Sequence, residues 1–265
     1  MRRFGGLLLL AALAICSLRA TAAAPAGVLA VAAEGTQFRV TLADGRILRS
    51  QDLVGAALIV SSASGPVKLR IAALERDPTA ATDDVWLHTL LVEAPDGTSH
   101  NLCEPGPDGR VQAFPLANHV AADGGTENTT PEQFELVCTG GVRGKCVRFG
   151  YRPWVSEEER LYNACTRMTR ADYCGLGEGT TRDGMEIDYY DSRGIQQSAN
   201  NPALSFEAGW TERGAVCVNH PRVSDNVSLE RLGAACPRLA GHLGDGCTEM
   251  AARAAGAILF NQSRR

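Results

Sequence analysis

The sequence lacks the short motifs through which the commoner enzyme chemistries are recognised. No C-x-x-C, H-x-x-x-H or H-E-x-x-H occurs and the five histidines are scattered, so the usual zinc arrangements are excluded. There is no G-x-S-x-G elbow to expose a serine nucleophile. Lysine- or arginine-rich runs are absent as well, the closing Arg264 and Arg265 being a mere pair. With 26 basic residues against 30 acidic ones, the net charge is −4, and the chain carries no electrostatic footprint for nucleic acid or an anionic membrane surface. Beyond the amino terminus no apolar run reaches the roughly 20 residues that a membrane span needs, and no internal repeat or low-complexity tract is seen. What is present fits a folded globular protein of one large or two small domains: 265 residues, 45% hydrophobic and 21% charged.

The start, "MRRFGGLLLLAALAICSLRATAAAP", has the order of a secretory leader. Arg2 and Arg3 come first, residues 7 to 18 are almost wholly apolar, and small residues follow for cleavage. A signal peptide over 1–22 is expected, with the mature chain beginning near Ala23 and no integral span left after cleavage. Lipidation at Cys16 is disfavoured by the bulk of Ile15, and the twin arginines lack the longer folded-export pattern. Cleavage removes Arg2, Arg3 and Arg19, leaving 23 basic against 30 acidic residues and a net charge of −7. It also removes Cys16 and leaves eight cysteines, an even number in an oxidising compartment, which argues for four disulfides.

Between Thr36 and Leu102 the pattern is short and alternating. In "TQFRVTL", Phe38, Val40 and Leu42 lie two apart before an Asp44-Gly45 turn, and "AALIVSS", "VKLRIAAL" and "VWLHTLLVE" follow between turn signals. The stretch 122–133, "ADGGTENTTPEQ", reads as an exposed connector. Beyond it "FELVC", "KCVRFGY", "EIDYYD" and "GAVCVNH" read as strands. "SEEERLYNACTRMTR" reads as a helix with a Ser156/Glu159 capping box and a glycine exit at Gly175. Two more helices are expected at "SLERLGAAC" and "CTEMAARAAGAILF". The expected class is therefore α+β. A β-rich region over 25–102, a small antiparallel sheet or partly open barrel, precedes a disulfide-stapled mixed α/β region over 103–265 with about three helices.

Candidate chemistry is sparse. "GLGEG" at 175–179 follows a helix rather than a strand and so reads as a helix exit, not a phosphate loop. Asp183, Glu186, Asp188 and Asp191 could ligate calcium or work as paired carboxylates. However, their spacing misses the calcium-loop pattern, and a strand splits them between two faces. Cys217 and His220 resemble a thiol and its base in composition, but three residues apart on a strand they point to opposite faces, and an oxidised cysteine is no nucleophile. Asn128, Asn226 and Asn261 each begin an N-x-[ST] triplet. No metal and no cofactor is expected.

Four blocks carry a family resemblance: "FELVCTGGVRGKCVRFGYRPW" (134–154), "YNACTRMTRADYCG" (162–175), "TRDGMEIDYYD" (181–191) and "FEAGWTERGAVCVNHPR" (206–222). From about Cys103 onward the chain resembles the ADYC-domain family of exported bacterial proteins, named after the tetrapeptide Ala171, Asp172, Tyr173, Cys174. The resemblance implies a periplasmic, cell-envelope or extracellular protein and brings no established activity, cofactor or catalytic residue with it. Two classes of function are compatible with these residues. The favoured one is a non-catalytic module binding an envelope or extracellular protein or glycan; the alternative is an exported hydrolase using Asp172, Asp188 and Asp191.

Geometry limits the disulfides. Continuous helix would separate Cys165 and Cys174 by about 13 Å, far beyond the roughly 4.4–6.8 Å a disulfide spans. A hairpin at Gly140-Gly141 would place Cys138 and Cys146 on different faces. Cys103 is thus expected to pair with Cys138, and Cys236 with Cys247. Cys146 and Cys217 are each expected to take one of Cys165 and Cys174. Asp172 and Tyr173 are expected to be structural, with the Tyr173 ring buried and Asp172 accepting from backbone or arginine donors.

Overall fold

The computed structural model describes residues 27–62 and 65–265. The expected leader and Cys16 lie outside the described residues. β1 (Val28–Glu34), β2 (Gln37–Leu42) and β3 (Ile47–Arg49) form a three-stranded antiparallel sheet. Its alternation is the one the sequence shows, with Phe38, Val40 and Leu42 buried on one face of β2. β4 (Ala57–Ser62), β5 (Gly65–Arg76), β6 (Trp86–Glu93), β7 (Ser99–Asn101), β8 (Ala113–Leu116), β9 (Asn118–Val120), β10 (Thr126–Asn128) and β11 (Glu135–Cys138) follow. Six of these make one open sheet in the order β11-β8-β6-β5-β4, with β7 also on β6, while β9 and β10 form a separate hairpin. Neither sheet closes into a barrel. The stretch 122–133 is mostly exposed, as expected of a connector, but it also carries β10, and Arg167 donates to the Asp123 carbonyl at 2.7 Å in the hairpin turn.

The second half opens with α1 (Val142–Arg148) and α2 (Ser156–Arg170). α1 replaces the strand expected at "KCVRFGY". Gly144 explains why helix fits there, because a Cβ at this position would lie 2.2 Å from the Cys138 carbonyl oxygen, so only glycine lets the turn close against β11. α2 has the expected bounds but not the expected ends. Val155 is its N-cap, with no side-chain cap, and Ala171 rather than Gly175 is the left-handed C-cap, at φ 52°. β12 (Ile187–Asp191), β13 (Ser205–Thr211), β14 (Gly214–Val218), α3 (Leu229–Ala235), α4 (Glu249–Ala254) and β15 (Leu259–Ser263) complete the chain. The last sheet runs β12-β15-β13-β14, so the final strand lies inside it. The described residues thus hold four α-helices, and the tail of the expected third one is strand. Gly256, at φ 88°, breaks the alanine-rich run.

The largest core spans both halves. Val85, Leu87, Phe114 and Leu116 from the six-stranded sheet region are buried together with Tyr162, Met168, Tyr173 and Trp210. α2 lies against β13 and β14. All eight described cysteines are paired: Cys103–Cys138, Cys146–Cys165, Cys174–Cys236 and Cys217–Cys247, with Cα separations of 5.5 to 5.8 Å. The first two agree with expectation, and 165–174 is not linked. The expected Cys236–Cys247 clamp is wrong, as is a bond from Cys217 to Cys174. Cys236 instead closes the segment after α2, and Cys247 anchors the chain before α4 to β14.

Candidate functional site

The tetrapeptide 171–174 holds elements together through every one of its residues. Ala171 is fully buried and turns the chain out of α2. Asp172, also fully buried, accepts from Arg167 at 2.7 Å and from the backbone N–H groups of Leu176 and Gly177 at 3.1 and 2.9 Å. Tyr173 stacks on Trp210 with ring centroids 5.2 Å apart. Its hydroxyl donates to Glu207 at 2.9 Å and accepts from the Arg222 backbone N–H at 2.8 Å. Burial, reinforced by the Glu207 charge, pushes that phenol well above its ordinary pKa, which keeps the donor protonated. Arg222 grips Glu207 through Nε and Nη2, both at 3.1 Å, and spends its other donors on the carbonyls of Met168 and Thr169. Cys174 closes the set by its bond to Cys236. A buried pair so fully hydrogen-bonded specifies the packing of α2 on the last sheet and has no free valence for a substrate.

The alternative catalytic carboxylates are not brought together. Asp188 accepts from Ser198 Oγ and the Ala199 N–H. Asp191 accepts from Tyr151 Oη and the N–H groups of Arg193, Ile195 and Gln196. The two alternate to opposite faces of β12, and neither shares a partner with Asp172. Each shapes a loop. Cys217 is oxidised, and His220 Nε2 lies 3.1 Å from Ser263 Oγ. Of the three N-x-[ST] asparagines, Asn261 is fully buried, with its Oδ1 accepting from Trp210. A serine–histidine contact does occur, Ser50 Oγ to His88 Nε2 at 2.7 Å, but both residues are fully buried.

An open polar site lies elsewhere, where the last turn of α1 presents Lys145 and Arg148. Two cavities meet there, of about 450 and about 390 Å³, and share Pro107, Lys145 and Phe149 in their walls. Phe149 stacks on Tyr189 of β12 at 4.2 Å between centroids. Burial, with the Asp188 charge second, raises the Tyr189 hydroxyl to about 12, so it remains a neutral phenol. Arg148 is held by Asp77 at 2.5 Å and Asp108 at 2.9 Å. Although burial opposes it, these two carboxylates raise the guanidinium pKa. Arg182 faces Asp225 at 3.2 Å, and Arg222 is matched by Glu207. Lys145 is different: the residue is half-buried, and its side chain has no hydrogen-bond or ion-pair partner among the described residues.

Lys145, Phe149 and Tyr189 are the residues that sequence reasoning missed. The available signal was scarcity, since Lys68 and Lys145 are the only two lysines in the sequence, and Lys68 is paired with Glu93 at 2.9 Å. No cluster of histidine, cysteine and carboxylate suited to a metal occurs among the described residues. No described helix is long and apolar enough to cross a membrane.

The ADYC domain model matches residues 50–224. The match therefore begins within the β-rich region rather than near Cys103. No curated protein and no solved structure matches the chain.

Proposed function

From the premise that the chain belongs to the ADYC domain family, we propose that it is an exported bacterial protein of the periplasm, envelope or extracellular space. On this reading it acts by binding rather than by catalysis, and it docks an envelope or extracellular component in the groove beside Lys145. One observation carries this reading. The chemically capable groups of the motif region are saturated by their own fold, whereas Lys145 stands unpaired between two cavities. Four disulfides support the oxidising compartment.

The test starts with the protein isolated from its own cells. Export predicts a mature chain beginning near Ala23, with no thiol free to maleimide after denaturation. That chain should bind isolated envelope material saturably, and Lys145→Glu should lose the binding at an unchanged melting temperature. An intact Met1 in a cytoplasmic fraction would end the export reading. Turnover of the bound component would end the non-catalytic one.

A further inference from the structure

We infer that the groove takes a saccharide bearing a uronic-acid carboxylate, with that carboxylate seated on Lys145. This rests on the binding-module reading and names the class of ligand for the same groove. Charge is the first argument. Lys145, Arg170, Arg182 and Arg222 line one lobe against the single carboxylate of Asp183, in a chain whose net charge is −4. Asp225 and Glu207 compensate Arg182 and Arg222. Arg170 has no carboxylate partner among the described residues, but its N–H groups are engaged by the carbonyls of Gly124 and Gly177. Lys145 therefore keeps both an uncompensated charge and free donors. A partly desolvated ammonium of this kind favours an anion that completes a charge-assisted hydrogen bond.

The walls argue for what carries the anion. Phe149 borders both lobes and Tyr189 the larger one, giving an aromatic wall against which the carbon face of a pyranose ring can be buried. Around that wall stand acceptors as well as donors: Asp108, Gln196 and, in the second lobe, Asp183. Hydroxyl groups both donate and accept, so a sugar uses such a mixture fully. A peptide rich in carboxylates would instead set some of them against Asp108 and Asp183, at a like-charge cost. One unpaired cation, a ring wall and mixed polar groups match a ligand with one carboxylate per ring and many hydroxyls.

Titration calorimetry of the full mature chain tests this against oligosaccharides of galacturonate, glucuronate and mannuronate, their carboxyl-reduced counterparts, and hexaglutamate. At least one acidic series should bind, with its reduced counterpart about tenfold weaker, the worth of one charge-assisted hydrogen bond. Lys145→Ala should abolish that preference, and Lys145→Arg should keep it. Because Lys68 is the internal control, the bound oligosaccharide should slow acylation of Lys145 and leave Lys68 unchanged. Binding by no member of the panel at millimolar concentration overturns the inference, as does binding that survives Lys145→Ala undiminished. Tighter binding of hexaglutamate replaces the saccharide with an acidic peptide. If the panel fails while envelope material still binds through Lys145, the saccharide assignment falls and the binding module stands. If both fail, both readings fall.

Discussion

His88 shows how one residue's surroundings set its protonation. Its Nδ1 faces the Ala113 carbonyl at 3.3 Å, an atom that only accepts, so Nδ1 carries the hydrogen and Nε2 accepts from Ser50. Ser50 Oγ in turn accepts the Phe38 N–H at 2.8 Å. The hydroxyl's proton and lone pair are both used in tying β2 to β6, which is why this contact is a staple and no dyad. Burial lowers the His88 pKa from 6.5 to about 4. Between those values the unfolded chain takes up a proton that the folded one refuses. The contribution is thus fully present above pH 6.5 and is lost as pH falls toward 4, at up to about 1.4 kcal/mol per pH unit. His220, lowered by burial in the same direction, adds to the slope. Urea denaturation between pH 7 and 4.5 should show a falling midpoint, and His88→Gln should flatten that fall without removing it. An unchanged slope in the variant would show that His88 takes up its proton equally in the folded and the unfolded chain.

At the scale of elements, legibility followed length and period. α2 is fifteen residues long, enough for its apolar stripe, acidic first turn and basic last turn to agree. β2 and β6 announced themselves by alternation. α1 did not, because seven residues of helix carry less than two turns of pattern, and Val147 and Phe149 two apart imitate a strand. β15 was hidden for the opposite reason: "AARAAGAILF" continues a good helical composition across the glycine that ends the helix. Its burial is tertiary, between β12 and β13. Gly209 is where that assembly is tightest. A Cβ there would stand 2.5 Å from Ala252 Cβ of α4 and 2.9 Å from Ala257 Cβ. Gly209→Ala should therefore push α4 from the sheet and cost about 1–3 kcal/mol, the range for an overpacked core, read as a lower urea midpoint. No loss would mean that α4 shifts freely on the sheet.

For the whole molecule, the matched segment and the folding unit differ. Residues 50–224 include β12 and β13 but not β15, through which β12 joins the sheet. They also leave Cys174 and Cys217 without Cys236 and Cys247. A chain ending at residue 224 should thus lack both native bonds of Cys174 and Cys217, lose its near-ultraviolet circular dichroism and be degraded rapidly by protease. A chain covering 27–265 should resist. A cooperative, protease-resistant 1–224 product would show that β15 is an addition to a complete domain. The groove, too, was illegible for a reason of scale. Lys145, Asp108, Gln196 and Tyr189 are scattered along the chain, and the sequence holds no periodicity that brings a helix end, a loop and a strand to one place.

The connectivity of the disulfides also has a temporal side. Cys103–Cys138 and Cys146–Cys165 each close before the next begins, whereas Cys217 lies between Cys174 and its partner Cys236. On the proposed export reading, a chain delivered amino terminus first across a membrane offers Cys174 its first available thiol in Cys217, while Cys236 is still to emerge. Vectorial oxidation then favours 174–217, and afterwards 236–247, over the crossed native arrangement. Escape from that trap goes by attack of a thiolate on the mispaired bond, a slow shuffling step. In host cells depleted of disulfide isomerase the newly delivered chain should accumulate a species whose peptide map contains the 174–217 link, and restoring the isomerase should convert it to 174–236 and 217–247. Native pairing at the earliest time points would mean that the buried Tyr173–Glu207–Arg222 contact forms first and chooses the partners. Otherwise the host must supply a shuffling enzyme for this chain, not merely an oxidant.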